Sequence, residues 1–172
     1  MDFGNKPFGL RDIKITDMTG TTQVDLPASQ TLTFKERIKS GELSGDDALV
    51  SVVSFGEALE WTLEAGGIDL DAYAMLTGRT ATLAGTTPDQ TVTMTANAGD
   101  NFPWVKIYGK ALGDGSDDIH CKIFKAKFTG LEGSFKEGAF WITKCTGIAV
   151  DDGTNGLFEF VANETATDLP AT

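Results

Sequence analysis

The sequence predicts a mainly β protein, a β-sandwich or barrel with one flanking α-helix and long hairpins. Three observations predict it. Gly supplies 20 of 172 residues and Thr recurs throughout, whereas helical chains carry Ala, Leu, Glu and Lys runs at 3.6-residue spacing. Several segments alternate apolar and polar residues with the two-residue period of a half-buried strand. Clusters of Gly and Asp, which form turns, separate them.

The elements follow in order. Residues 31–43 set Leu32, Phe34, Glu36 and Ile38 on one side and Thr33, Lys35, Arg37 and Lys39 on the other. After a turn at 44–47 the chain resumes as a β-branched run from Ala48 to Phe55, then alternates Leu59, Trp61 and Leu63 inward with Glu60, Thr62 and Glu64 outward. The two strands read as one long hairpin with a Gly- and acid-rich tip at 41–47. A helix is predicted over 70–77: Asp69 caps it, Ile68 staples against Tyr73, Leu70, Tyr73, Ala74 and Leu76 share a face, and Gly78 ends it. Short strands are expected at 80–83, 91–95 and 104–111. A second hairpin pairs 119–128 with 139–150 through the Gly-rich link 129–138, which places Cys121 opposite Cys145 and Ile123 opposite Thr143. A last strand spans 157–162. The implied organisation is an N-terminal arm over 1–30, one domain over 31–162 and a polar tail over 163–172.

Composition narrows the function. With 41% apolar and 23% charged residues, the chain can bury one core; a chain of about 150 residues hides roughly two-thirds of its unfolded surface. Its 14 Lys+Arg against 25 Asp+Glu give a net charge of −11, which argues against a DNA reader, since phosphate affinity comes from clustered cations. The longest uncharged apolar stretch, near 48–55, falls well short of the ~20 residues of a membrane helix. Residues 1–10 lack the apolar run of a secretory signal, so a cytosolic start without a membrane partner is expected.

Catalytic and metal chemistry find little support. His120 is the one histidine and reads as a polar residue on a sheet face; Cys121 beside it points to the opposite face and cannot pair with it as nucleophile. Cys121 and Cys145 are too few for a disulfide scaffold and are expected to be reduced. The stretches 114–118 and 151–156 lack the spacing of a calcium loop, and the glycines at 113 and 115 lack that of a phosphate cradle. Glu60 and Glu64 share a strand face about 13 Å apart, a solvated pair more than an acid/base couple. The glycosylation triplet at 163–165 means nothing without a secretory route. No enzyme and no cofactor is expected.

Residues 40–70 (SGELSGDDALVSVVSFGEALEWTLEAGGIDL), 101–113 (NFPWVKIYGKALG) and 119–164 resemble the major tail tube proteins of long-tailed, flexible (siphovirus-type) bacteriophages. The resemblance covers roughly 31–164 and rests on the order and pattern of segments. It implies a β-sandwich with a flanking helix, assembled as hexameric rings stacked into a hollow tube. Such a tube houses a tape-measure protein, ends on terminator and baseplate or distal tail proteins, and conducts double-stranded DNA without specific binding. The implied location is the virion tail, after assembly in the host cytoplasm.

Under this reading two hairpins, 36–43 with 48–53 and 119–128 with 139–145, line the lumen. Glu36, Glu42, Asp46 and Asp47 are the acidic candidates for the lumen or ring seam, where repeated carboxylates would repel phosphate. Gly41, Leu43, Ser44 and Gly45 are the inter-ring loop candidates. Lys122, Lys125, Lys127 and Lys144 on the second hairpin fit an acidic lumen poorly and are expected to pair with carboxylates of a neighbouring copy. The alternative is a stand-alone carbohydrate-binding or adhesin module in which Phe102, Trp104 and Tyr108 stack on sugars.

Overall fold

A computed structural model describes residues 6–26, 28–45, 48–67, 69–113, 115–134 and 136–169. The elements run β1 (Phe8–Asp17), β2 (Gln23–Asp25), β3 (Ser29–Gly45), β4 (Ala48–Gly66), α1 (Leu70–Thr77), β5 (Ala81–Ala84), β6 (Thr91–Met94), β7 (Trp104–Leu112), β8 (Asp118–Gly133), β9 (Ile142–Ala149) and β10 (Phe158–Asn163). One antiparallel sheet has the order β2-β1-β7-β8-β9-β4-β3, with β10 also beside β8; β5 and β6 form a separate hairpin. The mainly β fold with one helix is as the sequence predicts.

The sheet curls on itself. Phe34, on the terminal strand β3, packs against Phe158 and Phe160 of β10 with ring centroids 6.1 and 5.3 Å apart. Enclosed within the curl are Ile13 and Ile15 of β1, Leu59, Trp61 and Leu63 of β4, Ile107 of β7 and Ile123 of β8, all buried. Each side chain of this size stabilises the fold by about 1.5–3 kcal/mol through loss of apolar surface from water.

Helix α1 closes this core by seating Tyr73 and Leu76 in it. Its ends are as read: the Asp69 carboxylate accepts from the amides of Asp71 and Ala72, and Gly78 stops the helix at φ 67°, a conformation that favours glycine. The buried residues are Ala72, Tyr73, Leu76 and Thr77, so the face is turned slightly from the predicted one. The stapling residue Ile68 lies outside the described residues.

Three expectations need correction. Within the first thirty residues, β1 and β2 belong to the main sheet: β1 pairs with β7 from Asp12↔Lys110 to Asp17↔Val105. The Ile13/Ile15 alternation is a strand signal. It is masked by register shifts around Leu10 and by Gly9 at φ 76°, which break the period at its start.

The second hairpin is offset. Cys145 faces Leu131, ten residues along β8 from the expected Cys121, and Thr143 faces Gly133. Residues 129–133, read as linker, continue the strand. Gly130 leaves room for the Thr146 hydroxyl and Gly133 for the Trp141 indole, so these glycines serve close packing across strands and do not mark a turn.

The polar tail is anchored as far as the structure describes it. Leu169 is buried, the Thr167 amide donates to Asp118 at 2.8 Å, and the Ala166 amide donates to the Ser116 carbonyl.

Gly147 lies opposite both Trp61 and Phe128 on the core side, and a Cβ there would overlap the Trp61 ring and the Lys127 carbonyl. Overpacking of this kind costs about 1–3 kcal/mol. Gly147→Ala is therefore expected to lower the unfolding free energy from urea melts by that amount at unchanged β content, and an unchanged value would show that the ring has room to move.

Candidate self-assembly surface

The first feature of the site is a ribbon without a layer. β3 and β4 pair from Thr31↔Glu64 to Gly45↔Ala48, but β9 accompanies β4 only between Gly66↔Ile142 and Leu59↔Ala149. Beyond that point residues 38–45 and 48–56 form a bare two-stranded ribbon. A register shift between Arg37 and Ile38 leaves Glu57 unpaired, and Gly56 lies beside Leu157 at the start of the extension.

This ribbon is apolar on both sides. Ile38, Leu43, Leu49, Val50, Val52, Val53 and Phe55 are each more than half exposed. A lone hairpin is marginal in water, and an exposed apolar patch with open strand edges marks a contact surface.

Register places the predicted residues. On β3 the side continuous with the core face carries Glu36 opposite Leu59, Ile38 opposite Gly56 and Glu42 opposite Val52. Glu36 and Glu42 are exposed, and neither has an ion pair among the described residues. On the other side Gly41 faces Val53 and Leu43 faces Ser51; nearer the tip Ser44 faces Leu49 and Gly45 faces Ala48. Asp46 and Asp47 lie outside the described residues.

The outer face of the four strands β3, β4, β9 and β8 is a ladder of rows. One row reads Lys35, Glu60, Ile148, Lys127; the next Thr33, Thr62, Thr146, Gly130; the third Thr31, Glu64, Lys144, Glu132. Arg37 donates to Glu60 at 2.7 Å, and this hydrogen bond, with the attraction of the two charges, holds the Glu60 carboxyl below its ordinary range. Lys144 lies 3.7 Å from Glu64. The face is balanced in charge, and Glu36 is directed away from it.

Within the chain the lysines of β8 already have contacts of their own. Lys122 donates to Glu159 at 2.9 Å. Lys125 and Lys127 stand over the Trp104 ring, each 5.3 Å from its centroid. Spacing alone could not reveal this, because it depends on the β7–β8 register, which sets Trp104 opposite Lys127.

The aromatic platform of the sugar-binding alternative is not assembled. Tyr108 is buried, Phe102 packs edge-on against Phe128 at 5.2 Å beneath Arg79, and Trp104 is covered by its two lysines.

His120 is buried on the face opposite Cys121, with Nε2 3.1 Å from Asp118 Oδ2. The Asp118 carboxylate also accepts from Asn163 Nδ2 at 2.7 Å and has Lys110 Nζ at 3.4 Å, so these groups satisfy one another and fasten the C-terminal segment. Both thiols lie in the core, where burial pushes each up to about 11 and keeps it protonated. In the loop after β9, Asp152 accepts from the amides of Thr154, Asn155 and Gly156, which hold its carboxyl down to about 2. Its acidity thus has a turn-forming cause.

These features define a mainly β protein with an exposed, open-edged apolar ribbon. No protein-family model and no curated protein matches the chain. Among solved structures, it is similar to a chain of the PVC sheath-tube complex, an extracellular contractile injection system, in the extended state. That match has 11% identity and a TM-score of 0.57, and covers 94% of this chain and 95% of the other. A chain of the six-fold symmetrised baseplate of the anti-feeding prophage (AFP) matches with 11% identity and a TM-score of 0.49, covering 94% and 97%. The first of these matches shows that the fold is one found in an extracellular contractile injection system.

The Asp118 latch carries a prediction. Burial raises its carboxyl most, but the hydrogen bonds from Asn163, the Thr167 amide and His120 together bring it below the ordinary value of 3.8. A depressed folded-state value stabilises fully above the unfolded value and is lost as pH falls through the folded one. Asp118→Ala should cost about 3–5 kcal/mol at pH 7, because it strands buried polar partners. It should also flatten the loss of stability below about pH 4 and expose residues 164–169 to protease. Wild-type cleavage and acid response would show that the latch does not hold the segment.

Proposed function

We propose that this chain is the subunit of a phage-type tail tube, of the long-tailed flexible kind that its sequence resembles, polymerising as stacked hexameric rings. The observation that carries the reading is the ribbon over residues 38–45 and 48–56, apolar on both sides and open at both edges. In a ring, strand edges are covered by the next copy and heterologous contacts close on themselves. The similarity of fold to a chain of a sheath-tube complex supports the same reading.

In this assembly the outer face of β3, β4, β9 and the end of β8 from Gly130 to Glu132 lines the lumen. The ribbon, with Gly41, Glu42, Leu43, Ser44 and Gly45 near its tip and Glu36 at its base, serves the seam between copies. The lining differs from an acidic stripe: the ion pairs Arg37–Glu60 and Lys144–Glu64 neutralise it locally. A cation already paired with a carboxylate releases no counterion from DNA, so the duplex passes without being held. The tube houses a tape-measure protein, meets terminator and baseplate or distal tail proteins at its ends, and works as a virion component assembled in the host cytoplasm. The role is structural, with no catalysis.

Deleting residues 41–47 and rejoining the strands should leave thermal melting within a few degrees of wild type, since the ribbon contributes nothing to the core, and should abolish tubes in negative-stain micrographs of concentrated protein. Unaltered tubes from the shortened chain, or a wild-type chain that stays solitary at every concentration, would overturn the reading.

A further inference from the structure

Charge is unevenly placed on this acidic molecule. The outer faces of β1, β7 and β8 hold Lys14, Lys106, Lys110, Lys122, Lys125 and Lys127, six of the chain's 14 Lys and Arg. Three have carboxylate partners: Lys14 with Asp25, Lys110 with Asp118 and Lys122 with Glu159. Lys106, Lys125 and Lys127 have none within 4.0 Å among the described residues. They gather around Trp104: Lys125 and Lys127 lie over its ring, and Lys106 is two residues along β7 on the same side.

The complementary surface is on the ribbon. Its core-continuous side carries Glu36 and Glu42, neither ion-paired among the described residues, with Ile38 exposed between them and Val52 exposed opposite Glu42. Six residues of strand separate the two carboxylates, a span of about 20 Å. Leu157 adjoins the ribbon's base at Gly56. Three ammonium groups without a carboxylate partner around an aromatic ring, and two carboxylates without a cation beside the exposed Ile38 and Val52, match in both charge and polarity.

We propose that the Trp104–Lys106–Lys125–Lys127 face is the receptor for the Glu36/Glu42 side of the ribbon of a second copy. The contact is heterologous, since the two surfaces differ, and therefore propagates from copy to copy. It rests on the tube reading above and adds to it the surface on which the ribbon lands. Between copies that each carry −11, it supplies the local attraction that offsets general repulsion.

The experiment is a charge exchange in the full-length protein, read as the fraction sedimenting as tubes at a fixed concentration. The proteins are wild type, Lys125→Glu with Lys127→Glu, Glu36→Lys with Glu42→Lys, and the two sets combined. Each reversal alone should lower the polymerised fraction by about tenfold or more, and the combination should recover it to within about threefold of wild type. The neutral pair Lys125→Gln with Lys127→Gln, checked by thermal melting, should give an intermediate loss and separates lost attraction from misfolding.

Reversals that assemble like wild type, or a combined variant no better than the lysine reversal alone, overturn the contact. So does a lysine reversal that leaves assembly intact and instead abolishes binding to duplex DNA. Wild-type chains that never polymerise overturn the tube reading and this contact with it, whereas equal tubes from every variant overturn this contact alone.

Discussion

The structure turns on one constraint: β3 and β4 go on pairing with each other after every other element has stopped. Inside the curl, β4 is flanked by β3 and β9 and delivers Leu59, Trp61 and Leu63 to the core. Past Ala58 the same strand has one neighbour and no layer, yet its sequence stays β-branched and apolar through Val50, Val52 and Val53. A strand pair of that composition gains its main stabilisation only when further surface covers it. The isolated chain satisfies its core and leaves its ribbon unsatisfied.

Around that constraint β8 acts as the joint of the fold. One edge pairs with β7 from Asp118 to Lys127, and the other is divided between β10 over its first half and β9 over its second. The division is possible because β9 ends at Ala149 and the Asp152 loop carries the chain out and back before β10 begins. Two residues of β8, Phe124 and Lys125, occupy the register shift against β7. The strand thereby turns from one wall of the curl to the other while keeping its lysines outward. The ladder face and the lysine face are thus two faces of one bent sheet, fixed relative to each other by the core beneath.

Local signals were legible in the sequence where the physics is local. The helix stood out because Asp69 and Gly78 act on backbone groups within a turn of themselves, and the long hairpin because the alternation from Leu32 to Lys39 is unbroken. The β8–β9 register was not legible. Gly130 and Gly133 look like turn residues, and only the Thr146 and Trp141 side chains across the strand show why they are small. The N-terminal strand was hidden because Gly9 and the shifts near Leu10 interrupt its period before Ile13 and Ile15 establish it. The candidate site divides the same way. That the ribbon is exposed could be anticipated from its tip. Which side Glu36 and Glu42 share with Ile38, and that Lys125 and Lys127 converge on Trp104, required the register.

Net charge and local charge have separate tasks in such a molecule. At −11 over 172 residues, free chains repel one another, which protects a subunit whose apolar ribbon would otherwise invite disordered aggregation. General repulsion cannot distinguish an ordered contact from a disordered one, so specificity has to reside in short-range features that oppose the global sign. The face around Trp104 has that character, and so does the ladder, where Arg37 pairs with Glu60 and Lys144 with Glu64. A uniformly acidic surface would keep the copies apart, and a uniformly basic one would hold nucleic acid by releasing its counterions. Paired charge along the ladder and unpaired charge beside Trp104 avoid both outcomes, as the proposed tube subunit would require.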